Sequence, residues 1–225
     1  ERYLRGREIT NGMIQDAGKR LESLGNSIPE PVWQIGFTDN AENEILELSG
    51  SDALSTTKGV IDNAFESSSE GPKVQIKADT IKLEEKTHAF TLAFWARPNE
   101  NVSDNVPLIS NSSFEAEPSS SNYGYGWDIR LVGGEIEIAF AKRYPAYAAI
   151  LRTRSAKIRA DEWRHVSVSF TGRKEDDNAY TPASRFRIHI DGEEVRTIVR
   201  HDGLQDFPKK MDRPTSFGSD YFSNG

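Results

Sequence analysis

The sequence predicts an all-β protein, an antiparallel two-sheet β-sandwich with a short helix at its amino-terminal end. Three observations support this fold class. After residue 31 the apolar residues recur at every second position, in short runs that end at turn-forming residues. Two glycine-containing dipeptides separate pairs of these runs, as the tight turns of hairpins do. After residue 31, no long stretch repeats its apolar residues at the helical spacing of three and four.

Residues 1–31 are predicted to form a helical leader and a proline-containing linker. Between residues 7 and 24 the apolar side chains recur at spacings of three and four, which is typical of a helix with one apolar face. Gly25 follows as a C-terminal stop signal, and Pro29 then favours an extended connector. We therefore expect the sandwich to occupy residues 32–225.

The clearest strands are predicted at 90–96, 164–170 and 185–190, where apolar residues recur at every second position, and in the last two they alternate with polar ones. The first of these, with an apolar side chain on both faces, is typical of a central strand. Weaker runs predict further strands at 32–37, 45–48, 74–76, 106–110, 150–154 and 215–218.

Two hairpins are predicted from dipeptides that accept positive backbone φ angles. Gly133-Gly134 separates a strand at 127–132 from one at 135–140. Asp191-Gly192 separates the strand at 185–190 from one at 193–198. Each pair of strands is expected to be antiparallel neighbours.

Composition excludes several classes of function. The chain has 28 Lys and Arg against 35 Asp and Glu, a formal net charge of −7, so it offers no basic field for nucleic acid. No apolar run approaches the roughly 20 residues that a membrane-spanning helix needs. The chain has no cysteine, which excludes disulfides, thiolate metal sites and a cysteine nucleophile within it.

Four stretches of the predicted strands are similar to sequence motifs of one family. They are FTLAFWARP at 90–98, DEWRHVSVSF at 161–170, IHIDGEEV at 188–195 and FGS at 217–219. Together they resemble the laminin G-like modules of the concanavalin A-like lectin/glucanase superfamily. The second stretch, similar to the family's "EWHHVAVTY" strand, is the most specific of the four.

This resemblance implies a concanavalin A-like jelly roll over residues 32–225. The family's usual final strand would come after Gly225, so we expect a laminin G-like sandwich that lacks its last strand. The helical leader ahead of such a module resembles the layout of larger secreted bacterial multidomain proteins. It implies a secreted, periplasmic or cell-surface location, with neighbouring domains of the parent chain as partners.

Glucan hydrolases of the superfamily carry three carboxylates as E-x-D-x-x-E on one strand face. Such retaining enzymes need a nucleophile and an acid roughly 5 to 5.5 Å apart. The nearest match is Glu135-Ile136-Glu137, but Ala139 and Phe140 stand where the third carboxylate is needed. The expectation is therefore that the chain is not an enzyme.

An aromatic and basic cluster predicts a ligand-binding surface. Sugar rings stack on flat aromatic side chains, while polar side chains bond their hydroxyl groups. The alternative is that these aromatic residues only pack the sandwich. The candidate residues are Tyr123, Tyr125, Trp127, Arg143, Tyr144 and Tyr147, with Arg152 and Arg154 nearby.

Calcium is a candidate cofactor, because the related jelly rolls often hold it on a loop rim through carboxylate and carbonyl oxygens. The candidate ligands are Asp39, Asn40 and Asp128. The acidic loop of the family is here Glu-Ser-Ser-Ser-Glu-Gly at 66–71, which lacks aspartate. His165 and His189 are also placed to face one another across neighbouring strands, as a transition-metal pair would.

The leading hypothesis is a non-catalytic binding module of an extracellular or envelope protein that recognises a polysaccharide or another glycan through its loops. The alternative is a structural or protein-interaction domain that packs against neighbouring domains. A glycoside hydrolase of the same fold is the third hypothesis.

Overall fold

The computed structural model describes residues 46–49, 56–60, 63–67, 73–78, 80–81, 83, 88–99, 105–114, 124–172, 182–205 and 214–218. The chain divides into two compact units, Glu1–Ile35 and Gly36–Gly225, and every described residue belongs to the second. The predicted helix, the linker and the strand at 32–37 lie outside the described residues. Among the described residues, no helix is long and apolar enough to cross a membrane.

The described residues form fourteen strands and one 3₁₀ turn, Pro182–Arg185. In chain order the strands are β1 (Leu46–Ser49), β2 (Thr56–Lys58), β3 (Asn63–Phe65), β4 (Lys73–Ile76), β5 (Phe90–Ala96), β6 (Asn105–Ser112), β7 (Gly126–Val132), β8 (Glu135–Arg143), β9 (Tyr147–Lys157), β10 (Arg164–Phe170), β11 (Phe186–Ile190), β12 (Glu193–Glu194), β13 (Thr197–Asp202) and β14 (Thr215–Phe217).

Two antiparallel sheets make up the sandwich. The large sheet has eight strands in the order β1-β4-β14-β6-β7-β8-β9-β13, and the small sheet has four in the order β12-β11-β10-β5. Strands β2 and β3 form a separate pair. The described pairings are antiparallel throughout, so the predicted all-β sandwich is confirmed.

The core lies between the two sheets and is filled by alternate side chains of their facing strands. Four phenylalanines, at 90, 140, 170 and 186, form its centre. Phe140 of the large sheet lies 4.9 Å from Phe186 of the small sheet, and Phe170 lies 4.8 Å from Phe186, between ring centroids. Burying such a side chain contributes about 1.5–3 kcal/mol. These contacts therefore hold the sheets together and fix which face of each is turned outward.

Both predicted hairpin turns are confirmed. Gly133 and Gly134 have φ angles of 60° and 82°, and Asp191 and Gly192 have φ angles of 54° and 83°. Such pairs of positive angles match the twist of the flanking strands.

A single carboxylate holds the second turn in place. Asp191 accepts hydrogen bonds from the His165 backbone N–H at 3.0 Å and from Nη1 of Arg164 at 2.6 Å. Arg164 also donates to Glu162 at 2.7 Å. Hydrogen bonds to Asp191, and then to Glu162, raise the pKa of the Arg164 guanidinium. Because the pKa of arginine already lies far above neutral pH, Arg164 is protonated there, and its own charge is lost from this pairing only in strong alkali.

The strand predicted at 193–198 is instead two strands in different sheets. β12 pairs with β11 in the small sheet, whereas β13 pairs with β9 in the large sheet. The chain changes sheet between them, where Val195 N–H donates to Ile188 O at 2.9 Å and Arg154 N–H donates to Arg196 O at 2.8 Å. Residues 193–198 contain no glycine or proline, so the sequence gives no sign of this crossing.

Strand β5 has the predicted bounds but not the predicted central position. It stands at the end of the described strand order of the small sheet. Its apolar side chains on one face pack against the core, while Trp95 on the other face is 43% exposed. The apolar residues on that second face therefore do not mark a buried strand.

Candidate functional site

The face of the large sheet that is turned away from the core carries charged and small side chains. Cross-strand pairing places Asp128 opposite Ala139, and Arg130 opposite Glu137. Glu137 in turn lies opposite Arg152 of β9. Because side chains of a strand alternate between faces, these residues lie on the other face of the sheet from the core residues of β7 and β8. We call this surface the second face.

A charged row of four side chains crosses three strands of the second face. Arg130 contacts both carboxylate oxygens of Asp128, with Nε donating to Oδ1 at 3.1 Å. Arg152 contacts Oε2 of Glu137 through Nε at 2.8 Å and through Nη2 at 2.6 Å. The row holds two positive and two negative charges that are paired within it, so it presents no net charge to a ligand.

The middle of the second face is closed to solvent. A small cluster of Ala139, Ala141, Ala148 and Ile150 is buried there, and Phe114 and Tyr144 pack against it. Asp128 is fully buried. A ligand therefore meets the exposed rim of this face and not its centre.

The rim carries aromatic side chains where strands β6 to β9 end. The rings of Phe114 and Tyr144 stack with centroids 4.6 Å apart. Tyr125 is 39% exposed and Tyr147 is 37% exposed. We call Phe114, Tyr125, Tyr144 and Tyr147 the aromatic end of the large sheet.

Backbone hydrogen bonds fix the aromatic end. Tyr144 N–H donates to Gly124 O at 2.6 Å, which ties the end of β8 to the start of β7. Ser113 N–H donates to Tyr125 O at 2.9 Å, and Tyr125 N–H donates to Ser113 Oγ at 3.0 Å. Arg143 and Tyr147 are paired positions of β8 and β9. The tyrosines are thus held by a rigid sheet.

A laminin G family model, described as the Concanavalin A-like lectin/glucanases superfamily, matches residues 68–225. These are 158 of the 225 residues. The chain belongs to this superfamily. The matched range includes all four stretches that carry the resemblance, and it covers strands β4 to β14. The laminin G-like prediction is confirmed.

Among proteins of curated function, none matches the sequence. Among solved structures, this chain is similar to an endo-beta-1,4-glucuronan lyase from the fungus Trichoderma reesei. The identity is 12%, the match covers 79% of each chain, and the TM-score is 0.48.

The prediction that the chain is not an enzyme is wrong as drawn, because the absence of one carboxylate pattern does not exclude catalysis. The prediction rested on Ala139 and Phe140 standing where a glucanase has its third carboxylate. That test concerns one catalytic pattern only, and one fold hosts different functions. Of the two remaining glutamates, Glu135 accepts a hydrogen bond from Ser155 N–H at 2.8 Å, and Glu137 is paired with Arg152.

The structure brings Tyr125, Arg143, Tyr144 and Tyr147 to the aromatic end, as the sequence cluster predicted they would lie near one another. Trp127 is not part of that surface. It is 3% exposed and stacks on Phe140 in the core, 6.1 Å between ring centroids. The hypothesis that Trp127 contacts a ligand is therefore corrected to a packing role.

The other cluster members lie apart or outside the described residues. Tyr123 falls outside them. Arg152 is held by Glu137 in the charged row, and Arg154 is exposed further along β9. Phe114 was not predicted, because a single aromatic residue followed by a polar stretch of sequence shows no periodicity that would mark it.

Asp128 is not a suitable calcium ligand, because both of its carboxylate oxygens contact Arg130 and the side chain is buried. Asp39 and Asn40 lie outside the described residues. Among the described residues, no group of three or more His, Asp and Glu side chains is placed to hold a metal ion. His165 and His189 do not oppose one another, since their paired positions are Trp95 and Ser167.

Proposed function

We propose that this superfamily member recognises carbohydrate and that the aromatic end of the large sheet carries the recognition. The observation that supports this most is the pair of exposed tyrosines, Tyr125 and Tyr147, at the same end of the large sheet as the stacked rings of Phe114 and Tyr144. Exposed aromatic rings held by backbone hydrogen bonds are suited to a ligand whose C–H faces stack on them.

The spacing of the two tyrosines suits an extended ligand. Tyr125 precedes β7 and Tyr147 begins β9, and one strand, β8, lies between them. Neighbouring strands are about 4.8 Å apart, so the two residues stand roughly 10 Å apart across the sheet. Tyrosine also loses little conformational entropy when it binds, because it has only two side-chain torsions.

The remaining chemistry at the aromatic end agrees with a glycan ligand. Tyrosine hydroxyl groups both donate and accept hydrogen bonds, as sugar hydroxyls do. Arg143, half-buried beside Tyr144, adds a guanidinium with several donors in a fixed plane. Membership of a superfamily of lectins and glucanases supports the same class of ligand. We also propose a secreted, periplasmic or cell-surface location, which the family resemblance supports.

A glycan-array screen tests this proposal, followed by titration of each bound glycan into variants. The Tyr125→Ala/Tyr147→Ala double variant should lose at least about fivefold in affinity, because each ring contributes about 0.5–1.5 kcal/mol beyond the area it buries. Tyr144 is left unmutated in this variant, because its ring packs against the buried cluster of Ala139, Ala141, Ala148 and Ile150.

The matched control is the Ile198→Ala/Val199→Ala double variant, which removes exposed apolar side chains from the edge strand β13 of the same sheet. It should bind as the wild type does. Absence of any bound glycan, or an equal loss in both double variants, would contradict the proposal.

A further inference from the structure

The small sheet also has a face turned away from the core, and one large aromatic ring stands on it. Trp95 of β5 is 43% exposed, and its cross-strand neighbour is His165 of β10. The two rings meet edge to face with centroids 5.2 Å apart. The imidazole thus supports one edge of the indole and leaves much of the ring open to solvent.

Side chains with short hydroxyl groups lie along the same face as Trp95. Pairing along β5 and β10 places Ala93 opposite Ser167 and Thr91 opposite Ser169. His189 of β11 lies opposite Ser167 on the other side. Short hydroxyls and an imidazole both donate and accept hydrogen bonds. We call the side chains of these residues, together with Trp95 and His165, the outer face of the small sheet.

The charges at the edge of the outer face are paired with each other. Nε of Arg187 lies 3.2 Å from Oε1 of Glu194. The pair leaves this edge without a net charge, so the surface complements an uncharged ligand better than a polyanion or a polycation.

The size of the face argues against a protein partner. The four described strands have two, five, seven and seven residues. At about 3.3 Å per residue and about 4.8 Å between strands, they cover roughly 330 Å². A stable protein interface needs about 800 Å² from each partner, with an apolar centre. Trp95 is the one large apolar side chain that the described part of this face exposes. A sugar chain needs only a ring to stack on and hydroxyl partners beside it.

We propose that the outer face of the small sheet is a second carbohydrate surface, which takes a neutral polysaccharide chain stacked on Trp95. Ser167, the diagonal cross-strand neighbour of Trp95, and His189, one strand further across the sheet, supply hydrogen-bond partners for the sugar hydroxyls. This surface belongs to the opposite sheet from the aromatic end, and it does not depend on binding there.

Depletion of the full chain from solution by insoluble neutral polysaccharides tests the proposal. The probes are microcrystalline cellulose, chitin and starch granules. For at least one of them, Trp95→Ala should weaken binding about tenfold, since the stacking ring is lost. Trp95→Phe, which keeps a smaller ring, should bind between the two. Trp95→Ala should weaken binding by the same factor in the Tyr125→Ala/Tyr147→Ala background, which separates this surface from the aromatic end.

Several results would overturn the proposal. They are the absence of binding to all three probes, equal binding by the wild type and Trp95→Ala, and loss of binding only in the tyrosine variant. Self-association seen by light scattering in the wild type and lost in Trp95→Ala would assign the face to a second copy of the chain. Should Trp95→Ala fail to fold, as judged by circular dichroism, Trp95→Thr replaces it, because threonine favours strands.

Discussion

Two neighbouring aromatic residues, Tyr125 and Trp127, have opposite environments although one glycine separates them. Tyr125 precedes the first residue of β7 and is more than a third exposed, whereas Trp127 is buried against Phe140. The same chemical preference for stacking therefore serves the surface in one case and the core in the other. Side-chain chemistry alone does not separate the two roles.

This difference predicts distinct effects of truncation. Trp127→Ala should lower the free energy of unfolding by about 3–5 kcal/mol, because it leaves a cavity in the core. Tyr125→Ala should change it by less than about 1 kcal/mol, since much of its ring is already in water. Urea denaturation measures both. Equal stability of the two variants would show that Trp127 does not pack in the core.

The role of Trp127 could have been predicted from the sequence, whereas that of Phe114 could not. Trp127, Ile129 and Leu131 alternate with Asp128 and Arg130, which places the tryptophan on the apolar face of its strand. Phe114 has no such pattern around it. Its partner, Tyr144, is thirty positions away in the chain, and only the pairing of the strands brings the two rings together.

At the scale of elements, the β7–β8 hairpin shows how one turn positions the site. Gly134 has a φ of 82° and accepts a hydrogen bond from Ile158 N–H at 2.8 Å, which ties the turn to the end of β9. A side chain at Gly134 would stand 3.2 Å from Ile158 O. A side chain at Gly133, in contrast, would have nothing within 4 Å. This turn fixes the register in which β7 pairs with β8, and that pairing continues to the aromatic end.

The two glycines therefore form a matched pair for mutation. Gly134→Ala should lower the free energy of unfolding by about 1–3 kcal/mol, through its positive φ and its close approach to Ile158. Gly133→Asn should be nearly neutral, because asparagine tolerates this left-handed conformation. Thermal or urea denaturation compares them. Equal destabilisation by both changes would contradict the described turn.

Strands with strict alternation were predictable from sequence, and contacts between distant strands were not. The bounds of β5 and β10 are as predicted, because apolar residues recur at every second position in each and turn residues end them. The split of 193–198 into β12 and β13 depends on hydrogen bonds to two different sheets. Strands β2 and β3 were missed because each has only three residues, with little apolar pattern.

At the scale of the whole molecule, one core supports two surfaces of different character. The large sheet presents aromatic side chains at the ends of its central strands, and the small sheet presents a single tryptophan among hydroxyl groups. The formal net charge of −7 and the internal pairing of the charged row both disfavour a polyanionic ligand. The molecule is thus suited to neutral glycans on both proposed surfaces.

Hydrogen exchange with and without a saturating soluble glycan tests the central claim most directly, since it locates the bound ligand on the intact chain. The glycan is the strongest ligand from the array. Carbohydrate recognition at the aromatic end predicts slower exchange of backbone amides in peptides covering 124–126 and 142–148. Unchanged exchange in both peptides, with the glycan bound, would contradict it.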